Sequence, residues 1–175
     1  MRVFFFLTLI GVSVMGCTGS KNLRDNGLSY LKLGDPMPRE GTVLLKGHSV
    51  RDTMFHEQDF IWRASVIKYG KGRVYVEDDF LQTGKVNRIR IQTPELRAQK
   101  LIHVGMTFGD LQAMDETWDI AWLEDYQLLD IISIDHPSVH YLIREKEKPA
   151  VYFNKTPILK TDISPASTIV AIVIM

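Results

Sequence analysis

Imidazoles and carboxylates are where chemistry would begin in this chain, and their spacing gives it little to work with. The histidines are His48, His56, His103, His136 and His140. A zinc peptidase helix sets two imidazoles and a glutamate on one face as His-Glu-x-x-His, and no such run occurs. Asp135, His136 and His140 are zinc-ligand types. A strand begun at His136 would put His140 on the same face, too far along for joint ligation without a bend. They therefore read as a turn histidine and a solvent-facing strand histidine. His56-Glu57 has neither partner nor spacing for a metal. Glu77-Asp78-Asp79 offers adjacent carboxylates for general acid-base work or calcium. It lacks the glycine and distal glutamate of a calcium loop, and at a strand end such residues face water. No Gly-x-Ser-x-Gly elbow presents a nucleophile. Gly70 and Gly72 suit a hairpin turn better than a phosphate cradle, because no helix follows them. No catalytic residue, cofactor or metal site is expected.

The lone thiol has another use. Arg2 and the apolar stretch from Val3 to Val14 have the layout of a secretory signal, too short for the ~20 residues of a spanning helix. That stretch ends in Val14-Met15-Gly16-Cys17, which resembles the bacterial lipoprotein box. The resemblance implies a signal peptide over residues 1–16 and diacylation of Cys17 as the first mature residue. It also implies, from Thr18 in place of an aspartate, delivery to the outer membrane facing the periplasm. Attachment through more than one acyl chain is effectively stable. With no second cysteine there is no disulfide, so packing alone must hold the fold.

The chain has 175 residues, with Lys+Arg and Asp+Glu at 21 each and a formal net charge of zero. That balance makes no electrostatic case for nucleic acid, which clustered Lys and Arg would bind. Residues 17–27 are polar and glycine-containing, as a spacer is, and residues 28–175 are the length of one domain with its own core.

The elements that would position any site are mainly strands. Gly34-Asp35-Pro36-Met37-Pro38 is irregular. Residues 60–68 alternate, turn at Tyr69-Gly70-Lys71-Gly72, and return through 73–77. A third run, Val86 to Ile91, places Arg88 and Arg90 toward solvent. Together these predict a three-stranded antiparallel meander. Thr107 is the N-cap of a short helix carrying Phe108, Leu111 and Met114. Strands are predicted again at Trp118 to Trp122, Leu128 to Ile134, Val139 to Ile143 and Ala150 to Phe153. Ile169 to Ile174 is apolar on both faces, as an interior strand would be. Leu33-Gly34 and Val104-Gly105 each precede such a series, which is compatible with two tandem units of helix or turn plus meander.

Aromatic residues supply the one sequence hint of a binding surface. Phe60, Trp62, Tyr69, Tyr75 and Phe80 fall in one predicted hairpin, and Trp118 and Trp122 share a strand face. Trp62, Tyr75, Trp118 and Trp122 are the candidates to meet a protein partner or a carbohydrate, with burial in the core as the alternative.

Ile89-Arg90-Ile91-Gln92-Thr93-Pro94 followed by Ile102-His103-Val104-Gly105-Met106-Thr107 resembles a segment of small bacterial envelope lipoproteins of the Bacteroides type. The helix-and-meander arrangement is also similar to periplasmic inhibitor and assembly-factor lipoproteins. These likenesses imply an α+β fold, predominantly antiparallel sheet with one or two short helices. They imply a membrane-anchored envelope protein that binds or supports another envelope component without catalysis, or alternatively an inhibitor or assembly factor. An envelope hydrolase using Asp and His is the other alternative.

Overall fold

Alternation of apolar and polar side chains at period two commits most of this chain to half-buried strands, and they pair into one sheet. The computed structural model describes residues 22–44, 48–57, 60–79, 81–114, 117–145 and 157–175. The signal segment, Cys17, Phe80 and the strand expected at Ala150 to Phe153 lie outside them. In chain order the strands are β1 (Gly27–Leu28), β2 (Leu31–Lys32), β3 (Val43–Leu44), β4 (His48–Glu57), β5 (Phe60–Tyr69), β6 (Gly72–Glu77) and β7 (Arg88–Gln92). After helix α1 (Phe108–Gln112) follow β8 (Trp118–Leu123), β9 (Leu128–Ser133), β10 (His136–Arg144) and β11 (Thr168–Ile174). β1 and β2 form a small hairpin, and the other nine strands form a sheet in the order β3-β4-β5-β6-β7-β11-β10-β9-β8.

Every pairing in that sheet is antiparallel. Two meanders, β4 to β7 and β8 to β10, lie on either side of β11, which joins them. The expectation of an interior C-terminal strand therefore holds. The first meander has one strand more than the three expected, because β4 precedes them. The α-helical content among the described residues is the five-residue α1, so antiparallel sheet dominates the architecture.

One face of the sheet carries the core. Val74, Ile89, Ile91, Leu129, Ile131, Tyr141, Ile143, Ile172 and Ile174 are buried there. They are joined in the same cluster by Leu23, Leu28, Leu31 and Met37 from the N-terminal segment, by Leu96 and Ile102, and by Phe108 and Leu111 of α1. Leu23 is 6% exposed and its N–H donates to the Arg97 carbonyl at 2.7 Å. Residues 22–27, read as spacer, are thus in contact with the body. The β5–β6 hairpin turns at Gly70, whose φ of 54° suits a residue without Cβ.

Helix α1 starts where the sequence places it. Thr107 accepts from the Asp110 N–H at 3.2 Å, and the Thr107 N–H donates to Asp110 Oδ2 at 3.0 Å, a reciprocal capping box. The Thr107 hydroxyl also donates to Asp110 Oδ2 at 2.6 Å, and this bond first, with that from the Thr107 N–H second, holds the Asp110 carboxyl below its ordinary pKa. A depressed carboxyl contributes stability above its unfolded pKa and loses it as pH falls through the folded value. Thr107→Ala is expected to cost about 0.5–2 kcal/mol at neutral pH. In urea melts the gap between parent and variant should shrink as the solution is acidified below pH ~4; a gap constant with pH would remove Asp110 from the cap.

Candidate functional site

The sheet face opposite the core should be plain wet surface if every charged strand residue faced water, and it is not. Register decides which side chains share it. Arg90 pairs with Tyr75 of β6 and with Val173 of β11. Val173 pairs with His140, and Leu142 two residues on pairs with Asp130 of β9. Arg88 pairs with Glu77, which pairs with Ala64, and Trp62 lies on that same side of β5. These residues form two adjoining polar clusters.

The first centres on Glu77, whose side chain is fully buried. Arg88 reaches its Oε2 with Nη2 at 2.6 Å and Nε at 2.8 Å, and Trp62 Nε1 donates to the same oxygen at 3.3 Å. Arg90 Nε stands 3.1 Å from Oε1, an ion-pair distance without hydrogen-bond alignment. The guanidiniums lie over rings, Arg88 at 5.6 Å from the Trp62 centroid and Arg90 at 5.4 Å from that of Phe55. Such a stack uses the negative face of the aromatic ring. Arg88 and Arg90, expected toward solvent, are drawn onto a carboxylate that was itself expected in water. A buried carboxylate requires this, because an unpaired charge there would be prohibitively desolvated.

The second cluster lies in a groove of about 510 Å³ over β11. Small Ala171 and Val173 form its floor. Arg88, Arg90 and Gln92 line it on one side, and Asp130, His140, Leu142 and Arg144 on the other. Arg88 also lines a neighbouring recess of about 440 Å³ with Trp62, Asp78 and Asn87. Within the groove, His140 Nδ1 is 2.9 Å from Asp130 Oδ2. An ionised carboxylate only accepts, so the Nδ1 proton lies between them and Nε2 is the ring nitrogen left for a ligand. His140 and Asp130 are 8% and 7% exposed. Asp130 Oδ1 has no hydrogen-bond partner among the described residues.

His140 is therefore not the solvent-facing strand histidine that the sequence predicts. A break in the β9–β10 register between His136 and His140 takes the two apart. His136 instead approaches Asp25 Oδ2 at 3.3 Å and Gln99 Nε2 at 3.1 Å. No group of three potential metal ligands occurs among the described residues. The aromatic candidates also divide. Trp62 and Tyr75 belong to the Glu77 side of the sheet, with Trp62 buried against that carboxylate. Trp118 is in the core face, 5.8 Å edge-on to Tyr141, and Trp122 packs against the same core. They do not make one surface. Sequence reading set Glu77 and His140 facing water and passed over Asp130; the available signal was that single carboxylate inside an otherwise apolar strand.

Burial, with a smaller contribution from Tyr69, pushes the Tyr30 phenol up to about 12. Burial and then Glu95 raise Tyr69.

No helix among the described residues is long and apolar enough to cross a membrane. No family model and no curated protein matches the chain. Its fold is similar to that in the crystal structure of the uncharacterized protein yfeY from Escherichia coli, with a TM-score of 0.59 and 12% sequence identity over 87% of this chain and 98% of that one. At that identity the likeness is one of fold alone.

Proposed function

We propose that this chain is a lipid-anchored envelope protein of the bacterial lipoprotein type, tethered through Cys17 and acting as a binding module without catalysis. Its ligand meets the groove over β11. The observation that carries the binding reading is the Asp130–His140 pair, buried in the groove with Oδ1 unpartnered, since a buried acceptor left unmade costs about 1–3 kcal/mol unless something supplies a donor. The sheet dominates, with one meander on either side of β11 and α1 ahead of the second, and we read it as an α+β fold of two units of helix or turn plus meander. An outer-membrane location facing the periplasm follows from the lipobox and Thr18.

Two measurements test it. Cys17→Ser is expected to lose a metabolically incorporated palmitate analogue and to leave the membrane fraction; label retained on serine would end the lipoprotein assignment. A photoreactive side chain at Gln92, which lines the groove, should give a discrete adduct in intact envelopes. The same group at Gln112, exposed on α1, should give none. Equal labelling at both positions, or none at Gln92, would refute the groove as the binding surface.

The Asp130–His140 pair also favours a second reading as an envelope hydrolase. His140 Nε2 would take a proton from water, the resulting hydroxide would attack an ester carbonyl, and the expelled alkoxide would recover that proton. His140→Gln abolishing turnover of a short-chain ester, with the fold intact, would select it.

A further inference from the structure

We infer that the groove takes a single-chain amphiphile whose headgroup joins an anion to a hydrogen-bond donor, as in a lysophosphatidylglycerol; this rests on the groove being the binding surface. Three observations specify the parts. The first is the pair of acceptors. Asp130 Oδ1 is buried and unpartnered, and with Nδ1 turned to Asp130, His140 Nε2 is an acceptor in the neutral ring. Both call for a ligand hydroxyl or amine. A ligand presenting only acceptors would leave Asp130 Oδ1 without a donor.

The second is the cation. Arg88 and Arg90 hold their guanidiniums against Glu77 and the rings of β4 and β5, so each already has a partner. Arg144 lines the same groove and is exposed. No carboxylate is paired with it among the described residues, leaving it to meet an anion. Leu142, two residues from Arg144 on β10, pairs with Asp130. The backbone separation of Asp130 and Arg144 is then one strand spacing across and two residues along, about 8 Å. Their side chains can meet two groups of one small headgroup.

The third is the floor. Val170, Ala171, Val173 and Met175 follow one another beneath the opening, and the run from Val170 to Met175 is about 17 Å long. It accommodates one extended acyl chain, with the headgroup at the Arg144 end. A flat sugar would leave that apolar floor unused, and a fatty acid would leave Asp130 without a donor.

The test uses the full chain in phosphatidylcholine nanodiscs, with empty nanodiscs as reference, and three decanoyl probes below their micelle-forming concentrations. Decanoyl-lysophosphatidylglycerol carries donor and anion, monodecanoylglycerol the donor alone, and decanoate the anion alone. The first should bind at least tenfold more tightly than either of the others by titration calorimetry. Asp130→Leu, which removes the acceptor, should weaken it about tenfold without weakening decanoate, and Arg144→Met should reduce it to the level of monodecanoylglycerol. In the unaltered protein, whose folding is not in question, methyl NMR signals of Ala171, Val173 and Met175 should shift with the lysolipid. Those of Ile89 and Ile172, on the opposite face, should not. Equal affinity for the three probes, or methyl shifts on both faces, would overturn the inference. No binding of any probe together with a specific Gln92 adduct would refute the ligand class alone; no binding and no adduct would refute the groove as well.

Discussion

Truncation after Thr168 is expected to abolish the fold. It removes Ile169, Ile172 and Ile174, each at most 1% exposed, and each such side chain contributes about 1.5–3 kcal/mol by burial. It also removes the strand to which both β7 and β10 are hydrogen-bonded, so the two meanders are left with interior edges facing water. Domains of this size have about 5–15 kcal/mol of stability in all. Circular dichroism should show no cooperative thermal transition in the truncated chain. A transition near the parent temperature would mean that the sheet closes without β11, and the groove, whose floor is β11, would lose its foundation.

Glu77→Ala should be the most damaging single substitution outside the apolar core. Removing one member of a buried ion pair costs about 3–5 kcal/mol, because the partners keep their desolvation and lose their compensation. Here it leaves Arg88, Arg90 and Trp62 Nε1 around an empty site. Glu77→Gln keeps an acceptor for Trp62 and loses the charge, so it should fall between the two. Urea titrations with an unchanged slope would read the difference directly. A cost under about 1 kcal/mol, the scale of an exposed ion pair, would show that the arginines escape to water and that the cluster does not organise this face.

What could be read from the residues follows from how each strand is buried. β5, β6, β7, β8 and β10 alternate because one face of each meets the core, and α1 announces itself through Thr107 and the spacing of Phe108 and Leu111. β4 gives no such pattern, since Ser49, Arg51, Asp52, Met54 and His56 are all exposed while Val50 is buried. A strand near the sheet edge, covered at Val50 on one face and in part at Thr53 and Phe55 on the other, carries no periodic signal.

The candidate site was hidden for a different reason. Arg88 and Arg90 alternate with Ile89 and Ile91 as solvent-facing residues do, and nothing local says that they pair with Glu77. That pairing depends on the register between β6 and β7, which no local pattern fixes. The meeting of His140 with Asp130 likewise depends on the break in the β9–β10 register after His136. Period-two reasoning from His136 could not anticipate it. Asp130, between Leu129 and Ile131, was the one visible anomaly, because a carboxylate in a buried apolar run needs a partner.

Recognition in the groove requires His140 to donate from Nδ1 to Asp130 and to present Nε2 to the ligand. A two-bond proton–nitrogen NMR spectrum of the histidine side chains, recorded at alkaline pH where the rings are neutral, reads which nitrogen holds the proton. The prediction is an Nδ1–H tautomer for His140 that is lost in Asp130→Leu and whose Nε2 signal moves when a bacterial envelope lipid extract is added. An Nε2–H tautomer, or a ring whose signals respond neither to the Asp130 substitution nor to the extract, would contradict it.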